Sequence, residues 1–190
     1  MSILSRNRLL GLGVAALTFA ADQAVKWAVM RPLDLQALHT QLIMTGQWRP
    51  DTSDLPIVPF FGLSWQENYG VSLGLFTAGS DTQRWMLVAM TALIAGFVAV
   101  WLFREKKLGD TAALGLILGG ALGNIRDRAA LGFVADYADL HFGTFRPFLI
   151  FNLADAAITI GVLIILARSF LSGDKRAAGP QDRPNTATES

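Results

Sequence analysis

Two acidic residues stand where acids are costly. Asp155 lies in the run Phe151 to Phe170, FNLADAAITIGVLIILARSF, which reads as a membrane-crossing helix except for Asn152 and Asp155; an ionised carboxylate in hydrocarbon costs several kcal/mol. Asp136 lies in Gly132-Phe133-Val134-Ala135-Asp136-Tyr137, on the far side of another apolar run. Two carboxylates close together in a poorly solvated site cannot both ionise comfortably, so one keeps a proton while the other stays charged. Such a pair can hydrolyse an amide. The charged acid takes a proton from water as it attacks the carbonyl, and the protonated acid donates to the carbonyl oxygen and then to the leaving nitrogen. The same acids suit a proton relay, an ion site, or pairing with Arg126, Arg128 or Arg146, and spacing alone leaves these open.

Composition narrows the other chemistries. Of 190 residues, 52% are hydrophobic and 16% charged, and the mean hydropathy is +0.40, which is apolar for a soluble domain and points to a membrane protein. The net charge is +1, with no basic face interleaved with aromatics, so nucleic acid is not an expected partner. The absence of cysteine removes disulfides, thiolate nucleophiles and cysteine metal sites. With only His39 and His141, and no HExxH, a zinc hydrolase has almost no ligands to draw on.

The elements that must position these acids are four apolar stretches, each near the roughly 20 residues that cross a bilayer. They run over about 9–30, 85–103, 111–125 and 148–171. The third is short, and its Gly115, Gly119 and Gly123 recur at the four-residue spacing that lets helices approach closely in lipid. The first could be mistaken for a cleaved signal peptide, since Arg6 and Arg8 precede an apolar run ending at Phe19-Ala20-Ala21. The run continues through Asp22 and Lys26 to Met30, long enough to span, and these two can pair at i, i+4; retention of the helix is expected. Basic residues flank the spans at Arg6 and Arg8, at Arg104, Lys106 and Lys107, and at Arg168, Lys175 and Arg176. The positive-inside rule places these segments, and both termini, in the cytoplasm, with loops 31–84 and 126–147 outside. The tail 173–190 reads as disordered.

At 1.5 Å per helical residue, Asp22 lies roughly 21 Å from Arg8, Asn124 roughly 25 Å from Lys107 and Asp155 roughly 20 Å from Arg168. Three spans thus carry polar residues to similar depths, towards the outer face of a hydrocarbon layer about 30 Å thick. Groups lining one site would agree in height in this way. Asp127 and Arg128 are expected to fix the loop after the third span, Asp139 to be solvated and His141 to be interfacial. Trp48, Phe60, Phe61 and Trp65 read as an interfacial aromatic belt, and Ile57 to Gln66 as a strand of a small outer sheet.

Four blocks, in order along residues 9–171, resemble the lipoprotein signal peptidases, also called signal peptidase II, a family of bacterial membrane aspartic endopeptidases. They are Asp22-Gln23-x-x-Lys26; Asn68-Tyr69-Gly70-Val71-Ser72-Leu73-Gly74; Gly119-Gly120-Ala121-Leu122-Gly123-Asn124-Ile125-Arg126-Asp127-Arg128 with Gly132-x-Val134-x-Asp136-Tyr137; and Phe151-Asn152-Leu153-Ala154-Asp155-Ala156-Ala157-Ile158. The resemblance implies that Asp136 and Asp155 are the catalytic pair. It implies that Asn124, Arg128 and Asn152 hold the dyad and the substrate's polar groups, and that Asn68 and Gly70 flank the bound peptide. Asp22, Lys26 and Asp127 are expected to be structural. The implied substrate is a diacylglyceryl-modified prolipoprotein, cut on the amino side of its lipidated cysteine, with no cofactor or metal. Leu73 stands where the family usually has Phe, and the segment 31–56 is longer than is common in the family.

The expectation is therefore a mainly α membrane protein. Residues 1–172 would form one peptidase domain of four transmembrane helices with a small extracytoplasmic β element. It would be a monomer among the lipids of the bacterial inner membrane, its site facing the outer leaflet and periplasm. A proton-coupled transporter or channel, with Asp22, Asp136 and Asp155 as a relay, is the alternative. A membrane scaffold is a third class, and it leaves the shared depth unexplained.

Overall fold

A computed structural model describes residues 6–70 and 81–177. In chain order it comprises α1 (Arg6–Met30), α2 (Leu35–Met44), β1 (Leu55–Val58), β2 (Phe61–Asn68), α3 (Asp81–Arg104), α4 (Leu108–Leu131), β3 (Val134–Leu140) and α5 (Leu153–Ala177). Helices α1, α3, α4 and α5 are long and apolar enough to cross a membrane. The strands form one antiparallel sheet, ordered β1-β2-β3, at the end of the bundle where α1 and α4 finish and α5 begins.

Helix α4 is the centre of the bundle, packed against α1, α3 and α5. Its glycines explain how. A Cβ on Gly115 would strike the backbone of Gly11, one on Gly119 the backbone of Ala15, and one on Gly123 the carboxylate of Asp22, so this stripe is the seat of α1. A Cβ on Gly120 would strike the backbone of Ala154, and one on Gly161 that of Ala113, which brings α5 onto another face. In lipid no hydrophobic effect drives helices together, and close backbone approach supplies the van der Waals contact instead. Gly119→Val is expected to lower stability in detergent by about 1–3 kcal/mol, the usual cost of overpacking. Gly13→Val, which meets nothing within 4 Å, is expected to leave the thermal unfolding midpoint nearly unchanged.

The apolar core inside the bundle joins Ala15, Ala95, Val98, Leu102, Leu114 and Leu118. A second core, Val29, Leu35, Trp65, Ala135, Tyr137 and Ala138, lies under the sheet. By contrast Met90, Leu93, Ile94 and Phe97 of α3 are exposed, as side chains in contact with lipid should be. The far ends of α4 and α5 are tied by an ion pair between Arg168 and Asp110.

Several boundaries differ from the sequence reading. The third span, expected over 111–125, is α4 from Leu108 to Leu131, so residues 126–131 are helix and not outer loop. Arg126, Asp127 and Arg128 hid this, because a hydropathy reading stops at charge whereas the helix stops at Gly132, with φ 92. The fourth helix begins at Leu153, not near 148. It also runs to Ala177, into the segment read as a tail, whose residues 178–190 lie outside the described residues, as do Val71 to Gly74 of the second block. The long segment 31–56 contains α2, which no motif announced. Ile57 to Gln66 is not one strand: β1 and β2 form a hairpin around Pro59 and Phe60. Trp65 is buried under the sheet rather than part of a surface belt, while Trp48 and Phe60 are exposed.

Candidate active site

Asp155 is placed by the way α5 starts. The first four N–H groups of a helix lack partners within it, and here each finds one. Leu153 N donates to the Tyr137 hydroxyl at 3.2 Å, Ala154 N to Asp22 Oδ1 at 3.0 Å and Asp155 N to Asn152 Oδ1 at 3.0 Å, while Ala156 N makes the first bond within the helix, to the Asn152 carbonyl at 3.2 Å. In return the Asn152 backbone N–H donates to Asp155 Oδ2 at 3.4 Å. Residues Asn152-Leu153-Ala154-Asp155 thus form a reciprocal capping box, with Asn152 as cap and Asp155 at the third helical position. The spacing of the two polar residues in the last apolar run has this local cause.

Asp136 is placed by the sheet. In the β2–β3 pairing, Leu63 faces Ala138 and Gln66 faces Asp136, so Ser64 and Trp65 together oppose Tyr137 alone. This bulge kinks β2 beside Asp136, the kind of irregularity that re-aims a side chain next to a site. The free edge of β3 is bridged by Phe151, whose carbonyl accepts from Ala138 N at 2.7 Å. That bridge brings the residue before the α5 cap alongside Asp136.

The two acids meet through Asn152. Its side-chain Nδ2 donates to Asp136 Oδ1 at 2.6 Å while its backbone N–H reaches Asp155 Oδ2. Asn68 Nδ2 donates to Asp136 Oδ2 at 3.0 Å, and Asn68 Oδ1 accepts from Gly70 N at 2.9 Å, which leaves the amide one orientation. Gly70 has φ 92, a conformation open to glycine at little cost. Asn124 Nδ2 donates to Asp155 Oδ1 at 2.8 Å, and Asn124 Oδ1 accepts from Lys26 Nζ at 3.1 Å. The charges of Asp155, Asp136 and Asp127 all act on the Arg128 guanidinium, whose Nε has no hydrogen-bond partner among the described residues.

Under the dyad lies a buried ion cluster. Lys26 Nζ contacts Asp22 Oδ2 at 2.9 Å and Asp127 Oδ2 at 2.7 Å. With Asn124 Oδ1, which accepts a hydrogen bond from it, the ammonium thereby has three oxygens around it. Gln23 Nε2 donates to Asp22 Oδ2 at 3.0 Å and to Asp127 Oδ1 at 3.2 Å. Asp127 therefore joins α4 to α1 and does not fix the loop after it.

Burial, and after it the charge of Asp155, push the Asp136 carboxyl up to about 6, against the pull of the Asn68 and Asn152 hydrogen bonds and of Lys26. A carboxyl raised above its unfolded value of 3.8 holds a proton in the folded chain that the unfolded chain has lost. Its contribution is complete at low pH and disappears as pH rises from about 4 to about 6. Wild-type stability relative to Asp136→Asn, measured by thermal unfolding, is expected to decline over that window.

The site opens to a cleft of about 820 Å³ lined by Asn68, Tyr69, Gly70, Asp136, Asp155 and the wall 147–151. Beyond Asp155 an apolar groove follows α5 past Ala156, Thr159 and Ile160, under Phe148 and Phe151. The arrangement can hold a chain segment across two carboxylates while an apolar portion lies along the membrane helix.

A second polar cluster corrects two expectations. Asp139 is buried, not solvated: Arg146 Nε and Nη2 donate to it at 2.9 and 3.1 Å, and Ser53 and Ser64 at 2.9 and 3.0 Å. Burial acts to raise this carboxyl, but the bonds from Arg146, Ser53 and Ser64 and the Arg146 charge outweigh it and hold the carboxyl below its ordinary value. His141 is buried against Ser53 rather than interfacial. Arg146 also donates to the Pro50 carbonyl, so it ties the segment before β1 to the start of the cleft wall. These contacts span long sequence separations and left no local signal; the same is true of Tyr137 and Gln23, whose partners lie on other elements.

Four helices long and apolar enough to cross a membrane, with a small sheet at one end, make this a membrane protein. A family model described as signal peptidase (SPase) II matches residues 14–171. The lipoprotein signal peptidase of Rhizorhabdus wittichii is 52% identical over 167 residues, 88% of this chain and 89% of its own. That of Sphingopyxis alaskensis is 51% identical over 172 residues, 90% of each chain. A solved bacterial membrane enzyme covers 91% of this chain and 93% of its own with a TM-score of 0.61 at 24% identity, which supports the fold. The chain belongs to the signal peptidase II family, and is a multi-pass bacterial membrane peptidase.

Proposed function

We propose that this peptidase removes signal peptides from diacylglyceryl-modified prolipoproteins by an aspartic mechanism, cutting on the amino side of the lipidated cysteine. The observation that carries this reading is the bridging of two carboxylates by Asn152 at the mouth of a cleft that continues into an apolar groove.

Asp136 and Asp155 work as a pair, one carboxyl protonated and the other charged. The charged member accepts a proton from water as the oxygen attacks the scissile carbonyl; the protonated member donates to the carbonyl oxygen, and the tetrahedral species then collapses with a proton passed to the leaving amine. Asn152, Asn124 and Asn68 hold the carboxylates in register, Gly70 flanks the peptide, and Arg128 supplies positive charge to substrate polar groups. Asp22, Lys26 and Asp127 set the heights of α1, α4 and α5. Acyl chains lying in the outer leaflet would hold the scissile bond at the cleft. With both termini cytoplasmic, the sheet end faces the periplasm. The enzyme would act as a monomer with its lipid surroundings.

The test is incubation of the purified protein in detergent with a diacylated precursor and with the same precursor left unlipidated, followed by mass spectrometry of the products. Cleavage of the first alone, with the lipidated cysteine at the new amino terminus, is expected. Equal cleavage of both, or a cut elsewhere, would overturn the substrate assignment.

A further inference from the structure

A second cavity, of about 810 Å³, opens between the sheet ends of α1 and α4, lined among others by Gln23, Trp27, Arg31, Asp34, Arg126 and Ala130. It is separate in lining from the dyad cleft, sharing no residue with it. Arg126 lies on α4 about 7.5 Å below Leu131 at 1.5 Å per residue, a depth from which an arginine reaches the interface by extending its side chain. Arg31 follows the last residue of α1.

Both arginines are exposed, and among the described residues neither forms a salt bridge. Arg126 Nη1 donates to Gln23 Oε1, which fixes that guanidinium at the groove without neutralising it. The one opposing charge in the lining is Asp34, itself exposed, so the groove carries a net +1. Its lining on α1 ends in Ala24 and the exposed Trp27, and below the cavity the surface of α4 continues in the exposed Leu122, four residues before Arg126 on the same helix face.

A concave site that pairs planar, bidentate donors at the polar boundary with an apolar trough below fits a singly charged phosphodiester carrying an acyl chain. We propose that this groove binds the phosphate of a membrane phospholipid, with Arg31 and Arg126 on the phosphate oxygens and one acyl chain along Ala24, Trp27 and Leu122. The inference needs only that α1 and α4 cross a membrane and stands apart from the peptidase reading. A diacylglyceryl thioether has no phosphate, so the proposed occupant differs from the substrate in the group recognised.

The full chain, purified in detergent, is titrated with dioleoyl phosphatidylglycerol, with dioleoylglycerol and with inorganic phosphate, and bound lipid is counted by native mass spectrometry. One phosphatidylglycerol per chain is expected. The double variant R31Q/R126Q should bind it about tenfold or more weakly, since two charge-assisted hydrogen-bonding groups are lost, while R31K/R126K keeps part of the affinity. Arg31→Gln alone, exposed and beyond the helix end, gives an intermediate loss and keeps the test open if the double variant does not fold. Equal retention of dioleoylglycerol, unchanged affinity in the glutamine variants, or displacement of the lipid by millimolar inorganic phosphate would each overturn the proposal.

Discussion

Asp136→Asn and Asp155→Asn are each expected to lower kcat on a diacylated precursor by about a thousandfold or more, the upper range of acid–base contributions. An amide matches a carboxylate in shape but can neither take a proton from water nor hand one to a leaving amine. The double variant is expected to lose little beyond either single one, because groups that act as a unit are not additive. Folding should survive, since the amide oxygen still accepts from Asn152 at position 136 or from Asn124 at position 155. Circular dichroism of the detergent-solubilised variants checks this. A doubly substituted chain that still cut the precursor would remove both acids from the mechanism.

The second large effect concerns stability. Lys26→Met is expected to destabilise the protein by about 3–5 kcal/mol, the range seen when one partner of a buried ion pair is removed. Asp22, Lys26 and Asp127 are all essentially inaccessible to solvent, so the variant leaves two carboxylates facing each other in a low dielectric. Asp22 also accepts from Ala154 N at the start of α5, and Asn124 loses the ammonium that holds its carbonyl. Activity should therefore fall along with the unfolding midpoint. Restoring balance with Lys26→Met plus Asp127→Asn is expected to recover part of the stability but not the orientation of Asn124. Thermal unfolding of the single and the double variant beside the wild type measures the difference.

The spans and the polar residues they carry were legible because membrane burial makes every exception to hydropathy informative. Asp22, Asn124 and Asp155 stand out against apolar neighbours and their estimated heights agree, which the structure explains by one connected group: Lys26 contacts both Asp22 and Asn124, and Asn124 donates to Asp155. Asp22 and Lys26 were legible as a pair since i, i+4 spacing on a helix is local. What the sequence concealed is what depends on partners far along the chain. Asp127 and Arg128 look like loop residues until α1 supplies Lys26. Asp139 looks solvated until Arg146, Ser53 and Ser64 converge on it from three segments. The small sheet shows in the alternation of Ile57 to Gln66, but α2 and the division of that stretch into a hairpin do not, because short elements resting on the second core take their stability from packing more than from any pattern of their own. Asn152 also carries a local signal: Asn-x-x-Asp at the head of an apolar run is a capping box, and it fixes the helix start at Leu153.

The placement of Lys26 four residues after Asp22 bears on biogenesis. Within α1 the ammonium and one carboxylate already neutralise each other, so α1, which leaves the ribosome before α4, enters the translocon with no net charge at its polar turn. Asp127 arrives about a hundred residues later by sequence and adds a single negative charge to a site that a lysine with a free donor is waiting to receive. The order of synthesis thus matches the order in which charge can be sheltered, and no helix has to be threaded into lipid carrying an uncompensated lysine.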